Sequence, residues 1–158
     1  PDAELICGKI LLKWREKNLP IIHVRHSSTN LDSKLHESNP GFEFNNHVTP
    51  LDDEIVLTKN VNSAFIGTGL KSILNESKTE IIIIVGMTTN HCISTTTRMS
   101  GNLGFDTYLV SDSTACYNTK AINGEIIDCE VIYETSLASI NEEFATVINS
   151  NELMNLID

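Results

Sequence analysis

The chain has 158 residues, 41% of them hydrophobic, enough to bury one sizeable core, so residues 1–158 are expected to form a single domain. Acidic residues outnumber basic ones 21 to 11, and the formal charge of -10 is spread without a block of like sign, which argues against nucleic acid as a partner. The longest apolar run is Ile81 to Val85, far short of the ~20 residues that span a bilayer, and no basic-then-apolar leader with a small-residue cleavage site is visible at the N-terminus. A soluble, cytoplasmic protein without a membrane partner is the expectation.

Residues 2–17 set Leu5, Ile6, Ile10, Leu11 and Trp14 at helical spacing, and Pro20 stops that pattern before "IIHV" supplies a strand at 21–24. From Arg25 to Asp53 the chain is polar, with Pro40, Gly41 and Pro50, and no period persists; such an excursion commonly shapes a site. "EIVLTK" then predicts a strand ending at Lys59, and Leu70, Ile73 and Leu74 share the face of a helix over 67–76. "EIIIIVG" at 80–86 is apolar without alternation, the pattern of a strand buried on both faces in a parallel sheet. A helix over 91–103 stops at Gly104, "TYLVS" at 107–111 gives another strand, 124–139 a helix, "FATVI" at 144–148 a last strand, and 151–156 a closing helical turn. Strands and helices alternate throughout, which predicts a doubly wound, three-layer α/β/α fold with a mainly parallel sheet. In such folds ligands bind beyond the carboxyl ends of the strands, where Lys59, Gly86 and Asp112 fall.

Four widely spaced cysteines without a C-x-x-C pair, in a chain too long to need staples, are expected to be reduced thiols. Cys7 and Cys129 suit small buried positions in helices, and Cys116 a loop or helix start. Cys92 is different, because it falls in the first turn of a helix just past a strand end, where the macrodipole and a nearby cation favour a thiolate. Backbone N–H groups at a helix start also lack intrahelical partners and are free to bind an oxyanion. Lys59 is the cation best placed to stabilise that thiolate or shuttle a proton, although a strand-end lysine can equally be solvated and a cysteine near a helix start inert.

"VGMTTNHCISTTTRMSGNLGFDTYLVSDSTA" at 85–115 resembles the core signature of the isochorismatase-like cysteine hydrolases, and "LTKNVNSAFIGTGL" at 57–70 resembles their lysine segment. The likeness continues through 13–26, 39–44 and 136–148, so it covers nearly the whole chain in order. It implies a six-stranded parallel sheet and an Asp-Lys-Cys triad in which Cys92 is the nucleophile and Lys59 the lysine. It further implies a cis peptide between Met87 and Thr88, an oxyanion hole made by the Thr88 and Cys92 amides, and cleavage of a small amide through an acyl-enzyme. Isochorismatase proper does without the cysteine, so Cys92 argues for the amidase type. Family members commonly form dimers or tetramers, and a homo-oligomer is expected by analogy.

The triad aspartate of the family ends a first strand upstream of the first helix, and residues 1–158 offer no such strand; Asp2 and Glu4 follow no apolar run, so no catalytic aspartate is assigned. A non-catalytic binding or assembly subunit therefore stands as the alternative. The D-x-H-P metal motif of nicotinamidases has no counterpart, so neither metal nor cofactor is expected; "GTG" at 67–69 lacks the third glycine and later acidic residue of a dinucleotide site. His23 and His26, three apart at a strand end, point to opposite faces or diverge into the loop, and read as structural or exposed. Phe65 lines a pocket or fills the core, His91 lies near the thiol, Asp112 reads as a loop cap, and Arg98 as one member of an ion pair.

Overall fold

The computed structural model describes residues 2–157. Helix α1 (Ala3–Glu16) buries Ala3, Cys7, Ile10 and Leu11, one stripe at helical spacing, while Leu5 of the same pattern stays exposed. Asn18 adopts a positive φ of 54° just past the helix and Leu19 N–H closes onto the Trp14 carbonyl, after which Pro20 prevents continuation. Strand β1 (Ile22–His26) pairs in parallel with β2 (Ile55–Lys59) in a register that sets Ile22 against Ile55 and His26 against Lys59. Strand β3 (Ile81–Ile84) pairs in parallel with β4 (Asp106–Val110), which pairs on its other side with a strand at Thr146–Ile148.

Helix α2 spans Leu70–Glu76, α3 Ser94–Asn102, α4 Cys129–Ala138 and α5 Ser150–Ile157. Helices α1 and α5 cover one face of the sheet, where Ile10, Trp14 and Leu153 pack on Ile83, Val110 and Ile148. On the other face Ile84 and Leu109 meet Leu137 and Ile140, and Phe65, Leu70 and Leu74 meet Val24, Leu57 and Ile82. Alternate residues of β3 thus serve opposite layers, the three-layer arrangement read from its unbroken apolar run.

Four expectations change. The helix expected over 67–76 starts at Leu70, because Gly67 takes a φ of 71° and the Thr68 hydroxyl bonds back to the Ala64 carbonyl. The helix expected over 124–139 starts at Cys129, capped by Asp128, whose carboxylate accepts the Glu130 N–H at 2.8 Å. The residues before it form a small antiparallel hairpin, β5 (Thr119–Lys120) with β6 (Ile126–Ile127), so the strand at Thr146–Ile148 is β7.

The largest change concerns the sheet. In place of six parallel strands in one sheet, the described residues give five in two blocks, β1 with β2 and β3 with β4 and β7. Each of β1 and β3 is paired along one edge only, and a cavity of about 1850 Å³ lies between them, lined by Ile22, Val24, Ile81 and Ile83 and closed on either side by Trp14 and Phe65. For that reason β3 is not buried on all sides: Ile81 is exposed, Ile82 and Ile83 half-buried, and Ile84 buried.

Candidate active site

All five parallel strands point their carboxyl ends to one edge, and the cavity opens there onto Lys59 and Cys92. Lys59 is the last residue of β2 and only 4% exposed. Its Nζ lies 3.1 Å from Cys92 Sγ, 3.1 Å from His26 Nδ1 and 3.0 Å from the Val61 carbonyl. An ammonium has three donors and no acceptor, so these three contacts satisfy it fully; none of the three is a carboxylate. Burying such a donor-rich group is tolerable only with partners of this kind.

Cys92 reaches the lysine from the other block of the sheet. After β3 the chain turns at Gly86, whose φ of 125° suits glycine, and its N–H bonds the Ser113 carbonyl at 3.2 Å. The Met87–Thr88 peptide bond is cis. Cys92 then sits in a π-helical turn, Thr89–Ile93, that runs directly into α3, and not in the first turn of an α-helix as the sequence suggests. The Thr89 N–H is committed to the Ala115 carbonyl and those of His91 and Ile93 to the Thr88 carbonyl. Ile93 makes the first i→i−5 bond of the turn, so the Cys92 amide precedes that ladder. The half-buried thiol also has Asn62 Oδ1 at 3.8 Å.

A buried lysine thus meets a half-exposed thiol at the carboxyl edge of a parallel sheet. The isochorismatase domain model matches residues 6–152. The chain belongs to the isochorismatase domain family. The isochorismatase family protein YrdC of Bacillus subtilis is 46% identical over 153 residues, covering 97% of this chain and 82% of its own. The crystal structure of an isochorismatase-family hydrolase from Chromobacterium violaceum superposes with a TM-score of 0.94 at 34% identity, covering 98% of this chain and 80% of that one. At the level of fold alone, an N-carbamoylsarcosine amidase from Thermoplasma acidophilum gives a TM-score of 0.73 at 20% identity, covering 94% and 82% of the two chains.

Elsewhere in this isochorismatase-family hydrolase, the sequence-predicted residues divide. Phe65 does both of its possible jobs: it stacks on Phe105 with centroids 6.0 Å apart in the core and also lines the cavity. His91 is exposed at the cavity, its Nδ1 3.1 Å from the Thr88 hydroxyl. Asp112 is a cap, but of α5, accepting from the Ser150 N–H at 2.8 Å and the Ser150 hydroxyl at 2.6 Å. Among the described residues Arg98 makes no ion pair: it donates to the Ser139 hydroxyl at 2.8 Å and lies 4.6 Å over the Phe144 ring. Cys7 is buried, its thiol donating to the Ser113 carbonyl at 3.1 Å, and desolvation chiefly pushes its pKa up to about 11. The chain has no described helix long and apolar enough to cross a membrane, and its described residues hold no cluster of three metal-ligating side chains.

Two residues at the site were not singled out for it by the sequence. His23 is structural, as read, bonded through Nε2 to Glu54 at 2.7 Å, but His26 faces Lys59. Asn62 approaches the thiol from the loop after β2. The signal for His26 was its place at the end of β1, since parallel register sets it directly beside Lys59.

Proposed function

We propose that the protein hydrolyses the C–N bond of a small amide or related substrate through a thioester on Cys92. The observation that carries this reading is the 3.1 Å contact between Lys59 Nζ and Cys92 Sγ at the mouth of the cavity. The Cys92 thiolate attacks the carbonyl carbon, and the developing oxyanion is held by the Thr88 and Cys92 amides. As the tetrahedral adduct collapses, the C–N bond breaks and the leaving amine takes a proton from Lys59. Neutral Lys59 then draws a proton from water, whose hydroxide adds to the thioester; the C–S bond breaks and releases the acid, returning thiolate and ammonium. The Thermoplasma relative named as an amidase supports the bond class.

The family triad also calls for an aspartate, and the three acceptors around Lys59 include no carboxylate. The slot between β1 and β3 ends beside Lys59, so an acidic residue at the carboxyl end of a strand seated in it would reach that point. The same observation favours a second reading, a binding or assembly subunit without turnover.

The test is ammonia release from a panel of small amides and carbamoyl compounds, with intact-mass trapping of the acyl-enzyme. Turnover with an acyl adduct on Cys92 is expected, both abolished in C92S. Adducts on C92S, or hydrolysis that survives it, would overturn the mechanism; no turnover, with a partner still retained by C92A, would establish the binding subunit.

A further inference from the structure

We propose that His26 is a positioning residue, a neutral hydrogen-bond acceptor whose Nδ1 holds the Lys59 ammonium so that one of its donors stays aimed at Cys92. The inference rests on the Lys59–Cys92 reading above and deepens it. The parallel register sets His26 beside Lys59 at the last position of both strands, and Nδ1 lies 3.1 Å from Nζ. The Val61 carbonyl at 3.0 Å and Cys92 Sγ at 3.1 Å are the other described contacts of Nζ, so the imidazole takes one of its three donors.

The tautomer follows from that network: Nδ1 accepts, so the ring proton sits on Nε2. Burial chiefly, and the Lys59 charge next, lower the His26 pKa below its ordinary value, against a smaller opposing effect of the Val61 carbonyl. Lys59 from β2 is the charged group in contact with the imidazole, and Cys92, His91, Lys34, Arg15, Asp53 and Glu54 line the same cavity.

The consequence is electrostatic. Lysine and thiol exchange one proton between an ammonium–thiolate pair and an amine–thiol pair. An acceptor on the ammonium favours the charged pair and so the nucleophile. Protonated His26 loses its acceptor and places a second cation beside the first, reversing the preference.

The experiment is site-resolved alkylation of Cys92 by iodoacetamide, read by peptide mass over about pH 5 to 9, a span that covers histidine titration. It needs no substrate. In H26L, alkylation at pH 7 is expected to slow roughly tenfold, the effect of one unit in the thiolate equilibrium. H26N, whose amide oxygen can accept without titrating, is expected to stay within about twofold of wild type and to lose the acid-side inflection. H26L alkylating at the wild-type rate, or H26N retaining the wild-type inflection, would overturn the proposal. K59M separates the levels: if it too alkylates like wild type, the Lys59–Cys92 pair itself fails, whereas a slow K59M beside an unaffected H26L removes only the role of His26.

Discussion

Replacing Glu54 with glutamine tests how α1 is clamped to the strands that carry the site. The Glu54 carboxylate receives Arg15 Nε at 2.7 Å and Nη2 at 2.8 Å, His23 Nε2 at 2.7 Å and the Leu51 N–H at 2.9 Å. The Arg15 hydrogen bonds, chiefly, pull its pKa from 4.5 to about 2. Fully expressed, that displacement is worth roughly 3 kcal/mol. The Arg15 side chain is 22% exposed and the Glu54 side chain 9%, so solvent screening brings the expected loss in E54Q at neutral pH to about 2 kcal/mol. The sign follows from the depressed pKa: the stabilisation is complete well above the ordinary carboxylate value and disappears as pH falls from about 4.5 toward 2. Urea denaturation of wild type and E54Q at a series of pH values checks both parts, with more than half of the gap gone by about pH 3. A gap that stays constant between neutral pH and about pH 3 would refute the electrostatic argument and leave only a packing effect.

Further outcomes are expected elsewhere. Leu109, at the centre of β4 and 0% exposed, should cost about 2–5 kcal/mol as L109A, measured by the same denaturation, because the surrounding core cannot close the cavity fully. D112A removes the carboxylate that accepts from Ser150 at the start of α5; about 1 kcal/mol of stability should be lost, with faster amide exchange across the first turn of that helix. In T96V the hydroxyl that accepts the Ala64 N–H at 3.1 Å is lost. Stability should fall by about 1 kcal/mol while turnover falls more than tenfold, because the loop after Lys59 loses its tie to α3.

Much of this was legible because strong local signals agreed with the tertiary outcome. The unbroken "IIIIV" run announced a parallel strand covered by helices on both faces, and Lys59 fell at a strand end because "EIVLTK" ends an apolar pattern at a charge. The hairpin before α4 escaped because its strands are two residues each, and exposed Ile126 and Ile127 imitate the next helical turn; Asp128, a favoured cap residue, was the available marker. The environment of Cys92 was seen in outline, but a π-helical turn has no sequence period of its own. The sequence left His26 either on the face opposite His23 or diverging into the loop, and which strand lies alongside it is set by the pairing of β1 with a segment about thirty residues away.

The separation of the two strand blocks gives these details a common cause. Lys59 and His26 belong to the β1–β2 block, while Cys92 belongs to the turn after β3, across the cavity. No backbone pairing among the described residues joins β1 to β3, so the 3.1 Å lysine–thiol contact depends on what else fixes the blocks. Beside the chemistry that work falls to the 60–66 loop: Thr96 of α3 receives the Ala64 N–H, and the Ser63 hydroxyl meets Met99 Sδ at 2.9 Å. Deeper in the layer, Phe65, Leu70 and Leu74 pack at once on Val24 of one block and Ile82 of the other. At the opposite edge the Arg15–Glu54–His23 cluster fastens α1 to the start of β1 and β2, and α1 packs on Ile83 and Val110 of the second block. The lysine–thiol distance is therefore a tertiary quantity, held by helices on both faces, and an extended segment seated between β1 and β3 would convert it into one fixed by backbone hydrogen bonds.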